Sequence, residues 1–216
     1  MYKRNQIEDA ISKILDPRTN GSPTEIVGRI KRLLETDRAR GRSARSNDPT
    51  EKNFAFYRHD APGSGVEVWF SEYEAFALLT GLLLMANGWT QGVVVSILRQ
   101  VRREMETEHT TTMKQDIAKL FDEGAIRRDA RAGDIAFDNT DPVLLVIAAS
   151  PKTKASDGAP ALHCAVRRGP AKAFEFISDS KGALGGFTMF ELASNAHRLH
   201  RELEKTEPSK RGRSTS

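Results

Sequence analysis

The sequence predicts an α+β fold, and three features carry that reading. Polar residues followed three positions later by Glu, the mark of a capped helix start, recur through the first half. The second half carries alternating and continuous apolar runs of strand length, with helical spacing returning towards the end. A chain of 216 residues, 38% hydrophobic and 29% charged, is long enough to bury a core around both kinds of element.

Asn5-Gln6-Ile7-Glu8 opens the first predicted helix, with Ile7, Ala10, Ile11, Ile14 and Leu15 on one face. After the turn-rich stretch Asp16–Gly21, Ser22-Pro23-Thr24-Glu25 opens the second, with proline at the favoured first helical position. Ile26, Val27, Ile30, Leu33 and Leu34 form its apolar stripe and leave Arg29, Lys31 and Arg32 around the polar side. From Thr36 to Pro49 the periodicity disappears among Arg, Ser, Asp and Gly, which predicts an arginine-rich loop or linker. Asn53–Arg58 and Val66–Phe70 then alternate as strands do around His59–Gly65, predicting a β-hairpin. Ser71-Glu72-Tyr73-Glu74 is the third capping box and starts a helix to about Ala86, which Asn87-Gly88 ends. Thr90 caps the next, with Val93, Val94, Ile97, Leu98 and Val101 in its seam and Arg99, Arg102 and Arg103 outside or beside it. Thr110–Thr112 are weak helix formers, and Lys114–Glu123 reads as helical again before Gly124.

In the second half Asp134–Asp138, Val143–Ala149 and Leu162–Arg168 read as strands, the last two joined by the polar loop Ser150–Pro160. Pro170–Ser180 follows as a short helix. A long helix from Phe187 to about Lys205 carries Met189, Leu192, Ala196, Leu199 and Leu203 at coiled-coil-like spacing, which either pairs two copies or packs on the chain's own sheet. The domain reading is 1–123 with the linker 36–49, a small α+β domain over 124–206, and a basic disordered tail over 207–216.

Composition narrows the function. The single cysteine, Cys164, excludes an internal disulfide framework and suits a reducing compartment, so a cytoplasmic location is expected. Met1-Tyr2-Lys3-Arg4 leads into an amphipathic stretch instead of a signal sequence, and the longest apolar run, Phe76–Ala86, is too short for a bilayer, so no membrane partner is expected. The net charge is +4, concentrated in Arg38, Arg40, Arg42 and Arg45 and in Lys210-Arg211-Gly212-Arg213. Such clusters attract polyanions, nucleic acid before membrane; the competing reading is a solvated linker and a soluble tail.

Two amphipathic helices, an arginine-rich segment and a hairpin, in that order, suit a winged helix-turn-helix, which places one helix in the major groove and a hairpin over the adjacent backbone. Phe70-Ser71-x-x-Glu74, then Gly88-Trp89-Thr90, Val94 and Ile97-Leu98-Arg99 resemble the second half of MerR-type regulators. In that family a wing strand ending in an aromatic precedes a Ser/Thr-capped helix that ends in Gly-aromatic-Ser/Thr. The resemblance covers about residues 54–103, while the family's recognition-helix signature, an arginine followed by paired aromatics and Glu, is absent from Thr24–Arg40. It implies a double-stranded DNA partner, with Arg29, Lys31 and Arg32 near the groove and Arg58 or His59 on the wing.

Phosphate contacts are expected from Arg29–Arg45, and a homodimer through Leu98–Met113 or Met189–Leu203, with an unknown small-molecule effector. The alternative is a non-enzymatic interaction or scaffold protein on the same helical frame. No metal, cofactor or catalytic set is read. His197 and His200 stand at i, i+3 without further ligands nearby in sequence, and are read as surface histidines. Strand alternation sets Cys164 with Leu162 and Val166 and turns His163 to the opposite face, away from the thiol. Gly63-Ser64-Gly65 reads as a hairpin turn; Trp89 reads as packing at the helix junction, while Trp69 is left open to a stacking role.

Overall fold

The computed structural model describes residues 1–17, 24–58, 68–129, 136–154, 160–179 and 186–207. The chain divides into two compact units, one of Met1–Leu98 with Arg198–Ser216 and the other of Arg99–His197. Mixed helix and antiparallel sheet make it α+β, as the sequence predicts.

The first unit begins with a two-residue ribbon. β1 (Tyr2–Lys3) pairs antiparallel with β2 (Trp69–Phe70), Tyr2 opposite Phe70 and Lys3 opposite Trp69. α1 (Arg4–Leu15) follows at once and buries Ile7, Ala10 and Ile11. Its start differs from the predicted cap at Asn5. Gln6 Oε1 reaches back to accept the Lys3 N–H at 3.0 Å, and Glu8 pairs with Arg4 at 2.6 Å.

α2 (Thr24–Arg40) continues beyond Thr36 into the predicted linker. The apolar periodicity fails there because the next core-facing position is a carboxylate. Asp37 is fully buried, and its Oδ2 accepts the Phe56 N–H at 3.0 Å. Past Arg40 the chain is irregular apart from α3 (Pro49–Lys52), which Asp48 caps by accepting the Thr50 N–H at 2.8 Å.

The predicted hairpin is not formed as read. Residues 53–58 are irregular, and Phe54, Ala55, Phe56 and Tyr57 are all buried, which a strand with one wet face does not allow. The strand that does form, Trp69–Phe70, takes Tyr2–Lys3 as its partner. The predicted turn and the start of its second strand (59–67), and the cap at Ser22-Pro23, lie outside the described residues.

α4 (Glu72–Ala86) has both halves of the predicted capping box: Ser71 Oγ accepts the Glu74 N–H at 3.2 Å, and Glu74 Oε2 accepts the Ser71 N–H at 2.6 Å. At the other end Gly88, at φ 90°, donates to the Met85 carbonyl while Trp89 N–H reaches the Leu84 carbonyl, the bond pair of a Schellman stop. Gly81 lets this helix approach its neighbours closely; an added Cβ would lie 3.3 Å from Leu33 Cδ1, 3.4 Å from Leu98 Cδ1 and 3.5 Å from Phe56 Cζ. α5 (Gln91–Thr112) runs through the threonines. Thr107, Thr110 and Thr111 donate their hydroxyls to carbonyls one turn back, so the polar side chains are satisfied along the helix.

In the second unit the helix predicted over Lys114–Glu123 is broken into α6 (Ile117–Leu120) and α7 (Glu123–Asp129). β3 (Val143–Lys154) lies between β4 (Pro160–Arg168) and β5 (Phe187–Glu191), all antiparallel. Its apolar run is continuous because both faces are covered. Leu144 and Val146 pack with Ala173, Phe176 and Ile177 of α8 (Pro170–Asp179), while Val143, Leu145 and Ile147 are buried on the other side.

Two predicted elements change here. Residues 136–138 are not strand, and 134–135 lie outside the described residues. Phe187–Glu191, predicted as the start of the long helix, is the third strand, and α9 (Ala193–Glu204) begins after it. The Glu191 carboxylate accepts the Ala193 and Ser194 N–H groups at 2.8 and 2.9 Å and so opens that helix. Among the described residues no helix is long and apolar enough to cross a membrane.

Candidate nucleic-acid interface

α2 turns Ile30, Leu33, Leu34 and Asp37 inwards, which leaves Lys31, Arg32, Glu35 and Arg38 exposed. The cations predicted to face the groove are partly cancelled. Arg29 pairs with Glu25 one turn before it, and Lys31 stands 3.8 Å from Glu35. Such exposed pairs contribute little stability, yet they lower the positive potential a phosphate would meet. Arg32 is exposed and makes no ion pair among the described residues; its carbonyl accepts Gln91 Nε2 at 3.1 Å.

Two of the predicted phosphate contacts serve the fold. Arg40 donates Nη1 to Ser96 Oγ at 2.7 Å and Nη2 to the Gly92 carbonyl at 2.9 Å, clamping the end of α2 to the start of α5. Arg42 lies over the Phe54 ring, 5.8 Å from its centroid. Arg45 and Arg58 are exposed and, among the described residues, unpaired with any acid. His59 lies outside the described residues.

Tyr57 links one of the remaining cations, Arg38, to the buried segment. Its ring meets Phe54 edge-on at 5.7 Å and Phe70 at 6.2 Å, so the buried 54–57 segment is held against the ribbon. Burial pushes the Tyr57 hydroxyl above its ordinary value. A side-chain contact with Arg38 and the charges of Arg38 and Arg4 pull the other way, while Asp37 adds to the rise. Of these groups Arg38 is the one bonded to the hydroxyl; Arg4 is itself paired with Glu8 at 2.6 Å. Arg58 is the next residue along the chain from Tyr57. The anchor is Asp37, whose carboxylate holds the neighbouring Phe56 N–H.

Sequence reading missed Lys3 and Arg4, taking Met1–Arg4 as a lead-in. The signal was there, since two basic residues stand together at a helix start, but only the ribbon sets Lys3 across from Trp69. Lys3 Nζ lies 5.1 Å from the Trp69 ring centroid.

No family model, curated protein or solved structure matches the chain. The functional reading therefore rests on the residues themselves.

In the second unit, cations are taken up internally. Arg168 bonds Glu108 at 2.6 Å, Thr112 at 3.1 Å and the Asp141 carboxylate, which also accepts Gln115 Nε2 at 2.6 Å. Burial alone would lower the Arg168 value, but the two carboxylates overcome it and raise the net. Arg167 reaches Glu104 at 3.2 Å and lies 5.0 Å from the Phe176 centroid.

The other side chains singled out by sequence are likewise engaged. Burial pushes the Cys164 thiol up to about 12, and His163 is exposed on the opposite strand face. His197 is buried, not at the surface as read, and meets Phe121 edge-on at 5.5 Å, whereas His200 Nδ1 is 2.9 Å from Glu72. Among the described residues no group of three or more His, Cys, Asp or Glu is arranged to hold a metal. Both apolar seams considered for pairing two copies are consumed by the chain's own core: Leu98, Val101 and Met105 on α5, and Leu192, Ala196, Leu199 and Leu203 around α9 are all buried.

Proposed function

We propose that this chain is a non-enzymatic DNA-binding protein that grips double-stranded DNA through its phosphates. The observation that carries the reading is that Arg32, Arg38, Arg45 and Arg58 are exposed and, among the described residues, paired with no acid, Arg38 bonding Tyr57, the residue before Arg58. Phosphate contacts position a protein on the duplex without reading its sequence, and that is the task these side chains suit. With Arg29 and Lys31 engaged by Glu25 and Glu35, α2 contributes backbone contacts and little base readout. Anisotropy titration of a labelled random-sequence duplex tests this directly. Binding of roughly micromolar strength is expected at low salt, weakened in Arg38→Ala and Arg58→Ala and unchanged in Arg127→Ala, a cation already paired with Glu123.

The second reading, a protein-interaction or scaffold role on the same frame, is favoured by Glu25 and Glu35 standing within the basic face of α2. It predicts no saturable duplex binding below millimolar concentration in the same titration.

A further inference from the structure

Resting on the DNA-binding reading, we infer that Trp69, backed by Lys3, is a stacking site for an unpaired base, so that the chain favours DNA with single-stranded bases exposed. On the β1–β2 ribbon Phe70 is buried, whereas its neighbour Trp69 is 46% exposed. Lys3 stands directly across the ribbon, with Nζ 5.1 Å from the indole centroid, and occupies one side of the ring. Among the described residues the indole has no other ring or cation partner.

Lys3 is the cation placed at the ring; Arg4, the next residue, is paired with Glu8 at 2.6 Å. Among the described residues, Glu72 and Glu204 act on Tyr2, which alternates to the other face. A half-bare aromatic beside a cation is the combination that holds single strands: the cation meets phosphate, and the flat ring takes the face of a base. A duplex cannot use such a ring in the same way, because its base faces are stacked inside and only edges and phosphates point outwards. An unpaired base at a melted segment or a strand end can use the ring and the ammonium together.

The test titrates the full chain with a labelled mixed-sequence single strand and with its duplex at one ionic strength. Trp69→Ala is expected to weaken single-strand binding about tenfold and duplex binding by less than about twofold. Trp69→Phe should restore most of the single-strand affinity, and a Trp89→Phe protein should show quenching of the remaining Trp69 fluorescence by the single strand. Equal effects of Trp69→Ala on both ligands, or none on either, would overturn the stacking site and leave the phosphate reading standing. Failure of the wild type to bind either ligand removes that reading, and the stacking site with it.

Discussion

Asp37 is the residue on which fold and proposed interface both turn, and its removal has a calculable effect. The carboxylate is fully buried and accepts the Phe56 N–H at 3.0 Å. A hydrogen bond to a charged acceptor contributes about 1.5–3 kcal/mol, and an orphaned buried N–H costs about 1–3 kcal/mol. These two descriptions overlap, so Asp37→Ala should destabilise the chain by about 3 kcal/mol, including the small cavity left behind. Asp37→Asn keeps a neutral acceptor of the same shape and should cost about half as much. Urea denaturation followed by far-UV circular dichroism reads both, with the alanine midpoint falling by roughly 1 M or more. The same loss should loosen residues 54–58 and weaken duplex binding, because Arg58 is carried on that segment. A change below about 0.5 kcal/mol in Asp37→Ala would refute the assignment of Asp37 as the anchor, since that is the range of an ordinary surface substitution.

Other perturbations follow from particular contacts. Gly81→Leu should destabilise by about 1–3 kcal/mol in calorimetry, because the Cβ position already lies within 3.5 Å of Leu33, Leu98 and Phe56; Gly81→Ala should stay within about 1 kcal/mol of wild type, the better helix propensity offsetting the tight fit. Burial raises the Glu191 carboxyl, with Asp138 adding to it, against the lowering bonds from Ser194, Ala193 and Asn139. A raised folded value means its contribution is present below the unfolded carboxylate range and is lost as pH rises through the folded value. The melting temperature of wild type relative to Glu191→Gln should therefore fall between about pH 4 and pH 7; a difference that rises with pH over that range would contradict the burial argument. Cys164, with its thiol pushed up to about 12, should not react with Ellman's reagent in the native protein near pH ~8, and should react once the chain is denatured.

Much of the fold was legible wherever local chemistry settles the structure. The capping box at Ser71–Glu74 and the stop at Gly88 formed as read, because caps and turns depend on a few adjacent residues. β3 and β4 were legible from apolar runs bounded by a polar loop. The misreadings share one physical cause, a distant partner overriding a local pattern. Asn53–Arg58 alternates like a strand, but Tyr2–Lys3 takes the place beside Trp69–Phe70. Met189 falls at helical spacing from Leu192 by coincidence, while pairing with Val146 makes it part of a strand. The end of α2 was obscured because its core position is Asp37, a charge where periodicity asks for an apolar residue. Of the candidate site, Arg32, Arg38, Arg45 and Arg58 were legible as exposed cations. The Lys3–Trp69 pair and the Arg38–Tyr57 contact were not, since they form only after the ribbon and the 54–57 segment have folded.

Phosphate binding is tested most directly by the salt dependence of duplex affinity, measured between about 50 and 200 mM salt. Arg32, Arg38, Arg45 and Arg58 together predict a log–log slope of about −3 to −3.6, with Arg38→Ala and Arg58→Ala each reducing its magnitude by about 1. No binding at low salt, or a slope near zero that neither substitution changes, would contradict it.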